Sequence, residues 1–126
     1  TVLTSLNNKS LKEIGHTRPV ENLVLKQANL IKKSGCDGIV CSALEAKIIR
    51  KKYAKIFIVT PGIRLPGESS NDQIRIMTPN NAFKNKVSAI VMGRSLTKGN
   101  IRNNIKRLVD HLNKWSKALK SVGSQI

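Results

Sequence analysis

Four short apolar runs alternate with longer amphipathic stretches along this chain, and that alternation leaves few folds open. The runs fall at residues 1–4 (TVLT), 36–41 (around Gly38-Ile39-Val40), 56–60 (IFIVT) and 88–92 (SAIVM). Each is rich in β-branched residues and apolar on successive positions, the pattern of strands buried on both faces. Between them the spacing changes to helical. Pro19 suits the first turn of a helix that carries Val20, Leu23, Val24, Ala28, Leu30 and Ile31 and stops at Gly35. A second helix starts at Ser42-Ala43-Leu44-Glu45 and runs to about Lys52. A third opens on Thr78 as N-cap with Pro79 at the first helical position and reaches about Asn85. The last is the clearest, with Ile101, Ile105, Leu108, Val109, Leu112, Trp115 and Leu119 on one face. Residues 5–15 are polar and predict a loop with one short helix around Leu11 and Ile14.

Strands alternating with helices imply a parallel sheet with helices outside it. Four β/α units in 126 residues have the density of half an eight-stranded (β/α)8 TIM barrel, which takes about 250 residues. The expected fold class is therefore α/β, a half-barrel with two unpaired strand edges. Such a unit is expected to be marginally stable alone or to associate with another chain.

Function follows from the ends of the strands. The strand at 56–60 is broken by Pro61-Gly62, then Arg64, then a small and polar loop over residues 65–72 with a second Pro-Gly pair, then Gln73 and Arg75. The strand at 88–92 is followed at once by Gly93-Arg94. In a β/α barrel the loops after the last two strands commonly hold a phosphate. Gly93 lets a backbone N–H approach the anion, Arg94 offers a bidentate fork, and Gln73 donates an amide. The alternative is that Arg94 and Gln73 are solvated surface residues. Thr4, Ser5 and Ser42 also end strands, either as hydroxyl donors to a ligand or, for Ser42, as a helix cap and, for Thr4 and Ser5, as turn residues. His16 and His111 are expected to be solvated, and nothing in the spacing pairs Asp37 or Glu45 for acid–base work.

The net charge of +16 raises a nucleic-acid reading. The charge is spread over the whole chain, however, and aromatics are 3% of it, too few for a base-stacking platform. A basic, non-catalytic nucleotide- or nucleic-acid-binding module is kept as the alternative function. Cys36 and Cys41 form neither a disulfide scaffold nor a metal site and suit a reducing compartment. No apolar run approaches the roughly 20 residues that span a bilayer, and residues 1–8 lack a signal-peptide layout. A cytoplasmic location is expected.

Five blocks carry a resemblance. TVLTS, DGIVCSALEA, FIVTPGIR, DQIRIMTPNNA and IVMGRSLT, in this order and spacing, resemble orotidine 5′-phosphate decarboxylase over residues 1–112. The resemblance implies a phosphate-binding (β/α)8 barrel of which this chain is the last four β/α units. It divides the chain into residues 1–113, a C-terminal barrel half, and residues 114–126, an extension of the last helix and tail. It implies a lyase, decarboxylating orotidine 5′-monophosphate to UMP in pyrimidine biosynthesis. It further implies no metal or organic cofactor and a homodimer with active sites near the interface. By motif, Thr4 and Ser5 match nucleotide contacts and Pro61 the proline beside the pyrimidine. Arg64, Gln73, Gly93 and Arg94 match the phosphate and ribose-phosphate contacts, and residues 65–72 the loop that closes over the phosphate.

The departures from the family pattern are equally specific. The family's proton-donating lysine and its flanking aspartates lie in a D-x-K-x-x-D segment, and no such segment occurs in these 126 residues. No residue here is assigned a catalytic role, and the chain alone is expected to be inactive. It is a split enzyme with a complementary N-terminal half, a gene remnant, or an excerpt of a longer protein. Where the family usually has a glycine and an acidic residue before the last strand, this chain has Lys86 and Ser88. Where it usually has Asp-Pro after the last strand's loop, this chain has Asn100-Ile101.

Overall fold

A computed structural model describes residues 1–68 and 74–123, the last six of these by backbone alone. The order is α1 (Asn8–Glu13), α2 (Val20–Lys33), β1 (Gly38–Val40), α3 (Ala43–Lys52), β2 (Phe57–Thr60), α4 (Pro79–Lys84), β3 (Ala89–Ile90), α5 (Arg94–Thr97) and α6 (Ile101–Gly123). The sheet is parallel in the order β1-β2-β3. Gly38 pairs with Phe57, Ile39 with Ile58 and Val40 with Val59, while Val59 pairs with Ala89 and Thr60 with Ile90. β1 sits so close to β2 that a Cβ on Gly38 would lie 3.0 Å from the Phe57 carbonyl oxygen.

Local signals act largely where the sequence puts them. The Ser42 side chain accepts from the Leu44 N–H and caps α3. Gly35, at φ 78°, ends α2. Asn100 Oδ1 accepts from the Asn103 N–H and caps α6, so asparagine supplies the oxygen that an aspartate cap would. Two signals shift. Pro19 stands one residue outside α2, and Thr78 occupies the N-cap of α4 without a side-chain hydrogen bond.

Three larger expectations fail, each for a physical reason. Residues 1–4 form no strand. Thr1 donates to the Val40 carbonyl, but the next three carbonyls bond elsewhere. Val2 O and Leu3 O accept from the Arg75 guanidinium, and Thr4 O accepts from the backbone N–H groups of Ile74 and Arg75.

The strands, secondly, are buried on one face. Ile39, Ile58 and Thr60 point into the helical layer at 3% exposure or less, whereas Val40 and Phe57 on the opposite face are 53% and 52% exposed. Alternation of this kind is the signature of a sheet covered on one side. The residues are apolar on both faces, yet only the α2–α3–α4 side meets a covering layer. Finally, the apolar stripe of α6 is split. Leu108, Leu112 and Trp115 are partly buried, with Trp115 stacked on Phe83 of α4 at 6.2 Å. Ile101, Ile105 and Val109 are about half exposed. His111, expected to be solvated, is half-buried, and its carbonyl accepts from Asn80 Nδ2.

Two arginines tie the layers together at opposite ends of the strands. Arg50 reaches past the N-terminal ends of β2 and β3. It donates to the carbonyls of Ala54, Ile56 and Lys86 and to Ser88 Oγ. Ser88 Oγ also accepts from the Ile58 N–H, so the hydroxyl supplies the acceptor for which an acidic residue would serve. Arg75 closes the other end through an ion pair with Glu45 in the first turn of α3. Val24, Ala28, Ala46, Ile49, Ile58 and Ala82 fill the space between sheet and helices with no exposure. No helix among the described residues is long and apolar enough to cross a membrane.

Candidate functional site

The C-terminal ends of β2 and β3 deliver the two arginines that the sequence singles out. After Thr60 the chain turns through Pro61 and Gly62, whose φ of 74° is a left-handed value that glycine adopts without strain. Ile63 then bridges to Met77, with the Arg64 N–H donating to Met77 O and the Met77 N–H to Gly62 O. This bridge clamps the two stems of the 64–76 loop. It fixes Arg64 at 6% exposure, with Nη1 donating to Ile63 O at 3.0 Å. After β3 the chain passes Gly93, the N-cap of the four-residue α5, and Arg94 opens that helix on the surface.

The two arginines line one open cleft of about 240 Å³, together with Glu68, Ser95, Lys98 and Arg107. Its walls are the stem of the 64–76 loop, α5 and the first turns of α6. Asn104 pins α5 to α6 by donating its amide to Leu96 O and Lys98 O. Among the described residues that line it, four are basic and one, Glu68, is acidic, so the described lining is predominantly cationic. Glu68 is held at the loop's base, accepting from the Leu65 N–H and, at 3.3 Å, from Arg107. A second, smaller hollow of about 70 Å³ is lined by Thr1, Val2, Leu3, Thr4, Val40, Cys41 and Pro61. Burial pushes the Cys41 thiol up to about 12, with the nearby Glu45 carboxylate adding to the shift. The thiol is therefore a neutral, unreactive part of that wall.

The expected site residues thus fall into two groups. Arg64 meets Arg94 in the basic cleft, and Thr4 meets Pro61 in the smaller hollow. Ser5 is half-buried and lines neither. Gly93 joins β3 to the cleft without lining it, and a Cβ there would meet nothing within 4 Å. Neither packing nor φ (−92°) demands glycine at that position. Gln73 lies outside the described residues. Arg75, which follows the same loop, is not an anion site: it is 7% exposed and consumed by Glu45 and two carbonyls. That ion pair also answers for Glu45, which spacing alone left unpaired. Sequence reasoning missed Ser95, Lys98 and Arg107. Lys98 and Arg107 are separated from Arg94 along the chain by turns whose geometry decides which basic side chains converge.

The sequence profile of the Orotidine 5'-phosphate decarboxylase / HUMPS family matches residues 1–107. The chain belongs to this family. An orotidine 5′-phosphate decarboxylase from Coxiella burnetii (strain RSA 331 / Henzerling II) is 44% identical over 98 residues, which are 77% of this chain and 42% of that protein. One from Geobacillus sp. (strain WCH70) is 47% identical over 100 residues, 78% of this chain and 42% of that protein. Among solved structures, the orotidine 5′-phosphate decarboxylase from Lactobacillus acidophilus superposes with a TM-score of 0.64 at 33% identity, covering 86% of this chain and 46% of that one. An uncharacterized conserved protein from Geobacillus kaustophilus gives the same TM-score at 34% identity, covering 87% and 45%. The chain therefore spans less than half the length of the orotidine 5′-phosphate decarboxylases that it matches. Its α/β fold with a parallel sheet is shared with this TIM-barrel family.

Proposed function

We propose that this chain is the C-terminal, phosphate-gripping half of an orotidine 5′-phosphate decarboxylase barrel, with residues 1–113 as the barrel half and residues 114–126 as an extension. Its ligand is orotidine 5′-monophosphate or UMP. The observation that carries this reading is the convergence of Arg64 and Arg94, from two separate β/α connections, on one cleft at the C-terminal ends of the strands. In this reading the two guanidiniums bind the 5′-phosphate through charge-assisted bonds, with the Gly93 N–H and the Gln73 amide as further donors. Thr4, Ser5 and Pro61 border the nucleoside. These groups supply binding energy and charge stabilisation.

The proton that replaces CO2 must come from elsewhere. The family's D-x-K-x-x-D segment, with its lysine, is absent from the sequence, so the chain alone binds nucleotide without turning it over. The bare apolar sheet face around Val40 and Phe57 and the open edges of β1 and β3 support a partner layer there. A complementary N-terminal half, in the same polypeptide or a separate one, or a second copy of the chain, is the partner. Titrating UMP into the chain by calorimetry tests the reading: binding is expected, and Arg94→Ala is expected to weaken it about tenfold or more, as for one lost charge-assisted contact. UMP affinity indifferent to Arg94→Ala, or decarboxylation by the chain alone, would sink it. Affinity for RNA at physiological salt would favour the basic binding module instead.

A further inference from the structure

We propose that the end of the sheet opposite the arginine cleft is a docking track for a nucleic-acid duplex, held through its phosphate backbone without regard to sequence. The inference goes beyond the nucleotide reading and uses none of its residues.

The topology gathers the track. α2 leads into β1, α3 into β2 and α4 into β3. The three strands are parallel, so the three helix C-termini collect where the strands begin, away from the cleft. α2 packs on α3, α3 on α4 and α4 on α6. α2 ends on Lys32 and Lys33, and α3 on Lys51 and Lys52. Lys84 closes α4, and Lys86 follows in the turn before β3. On α6, Trp115 is stacked on Phe83 in the last turn of α4, which brings Lys114 and Lys117 to the same level. Two lysines for each of four helices make eight, and all eight are exposed. With neighbouring helices about 8–10 Å apart, the row is roughly 25–30 Å long.

Little acid offsets it. Among the described residues none of the eight lysines is in an ion pair. Asp37 precedes β1, and Asp110 lies one turn before Lys114. The other described carboxylates stand on α1, in the first turns of α2 and α3, or in the cleft. Asp72, the one acidic residue outside the described set, belongs to a loop whose stems are clamped at the cleft end by the Ile63–Met77 bridge. Complementing the helix dipole accounts for a lysine in a last turn. It does not account for Lys86, beyond α4, or for Lys114 and Lys117, well before the end of α6. Lys86 moreover stands at φ 65°, where glycine is free of strain. A cation is kept there at a conformational cost.

Shape and chemistry select a duplex. α6 runs on to Gly123, about 12 Å past Trp115 at 1.5 Å per residue, and stands as a wall beside the lysine floor. A row that ends in a step fits a rod better than the plane of a bilayer. A duplex carries one charge per about 1.7 Å of its axis, enough to meet every lysine along the row. Unpaired bases need ring platforms, and the four aromatic side chains are placed elsewhere. Phe83 stacks on Trp115, Tyr53 is bonded to Asn29 under Lys52, and Phe57 stands on the bare sheet face. Lysine ammonium groups meet phosphate as point charges and do not read base edges as arginine forks do, so the contact carries no sequence preference.

Fluorescence anisotropy with the full chain and a labelled duplex of about 20 base pairs, longer than the row, tests the track, once with RNA and once with DNA. Between about 50 and 200 mM salt the affinity is expected to fall about 10³-fold, the response of roughly six phosphate contacts. Little then remains at physiological salt, which keeps this binding apart from the RNA affinity that would favour a basic module. Lys51→Gln, Lys84→Gln and Lys86→Gly together should weaken binding about tenfold or more at low salt and reduce the salt slope by about 2 to 3. Lys9→Gln, Lys12→Gln and Arg18→Gln, an equal charge change beside the other end of α2, should weaken it less than about threefold. Circular dichroism confirms that both variants fold. Lys86→Gly alone should weaken the duplex while raising the urea midpoint, which separates lost binding from lost structure. Equal weakening in the two triple variants, a salt slope shallower than about −2, tighter binding of a single strand than of the duplex, or binding of phosphatidylserine vesicles in place of the duplex overturns the proposal. UMP affinity should be the same in the lysine variant, so failure of either reading leaves the other standing.

Discussion

Replacing Arg75 with methionine should bring this protein close to unfolding. The guanidinium is 7% exposed and makes three contacts with groups distant in sequence: the Glu45 carboxylate, and the carbonyls of Val2 and Leu3 at 2.9 Å each. Methionine keeps the aliphatic volume and removes all three. The Glu45 side chain, 4% exposed and already without a partner at Oε2, is then a buried charge with no counterion. Breaking a buried pair in this way costs about 3–5 kcal/mol. The bond to the Val2 carbonyl is buried and that to Leu3 part-buried, so the loss of their donor adds to the cost. Against a total stability of roughly 5–15 kcal/mol for an ordinary domain, and the low end expected for a sheet with one bare face, the loss removes most of it. Urea unfolding followed by circular dichroism measures the change. Arg75→Met with Glu45→Gln should recover at least about 1.5 kcal/mol of the loss, because the pair is coupled. Arg75→Lys should fall between, since an ammonium keeps the charge without the fork. The reasoning is wrong if Arg75→Met costs less than about 1 kcal/mol, or if the double variant is no more stable than the single.

Three further outcomes follow from individual positions. Lys86 sits at φ 65°, a left-handed conformation that costs a non-glycine residue about 1–2 kcal/mol; Lys86→Gly should raise the urea midpoint, although glycine's freer unfolded chain trims the gain, and a lowered midpoint would contradict this account. Gly38→Ala drives a Cβ to 3.0 Å from the Phe57 backbone oxygen and should destabilise by about 1–3 kcal/mol, read from the same unfolding curves. Cys36 is exposed and should react with a thiol reagent in the native state, whereas Cys41 should react only on unfolding. The Cys41 thiol stands raised from 9.0 to about 12 in the fold, so its contribution to stability is whole below pH 9 and is lost as pH climbs toward 12. Cys41→Ala should therefore lose less stability between pH 8 and pH 10.5 than the parent, and equal losses would refute the assignment.

Much of the architecture and half of the site can be read from the chain. Helix stops such as Gly35, caps such as Ser42 and the β2 run are local events, governed by the φ preference and side-chain reach of residues within four positions. The resemblance carried Arg64 and Arg94 because both follow strands within short, distinctive blocks. Residues 1–4 misled, because β-branched content marks a segment able to pair without saying whether its carbonyls meet a neighbouring strand or an arginine more than 70 positions away. Glu45 looked unpaired for the same reason. Phe57 and Val40 read as doubly buried because the sequence records that both faces are apolar, not which layers are present to cover them.

The sequence by itself determined much of the alternation of strands and helices, the family and the two arginines that follow β2 and β3, since each rests on residue types at short, fixed spacing. Only the tertiary structure decided that Arg75 is a clasp rather than an anion site, that Ser95, Lys98 and Arg107 join Arg64 and Arg94 in one cleft, and that the sheet keeps one bare face. Those are questions of which distant groups meet. Convergence in space depends on the sum of every turn between them, which no local pattern of residues records.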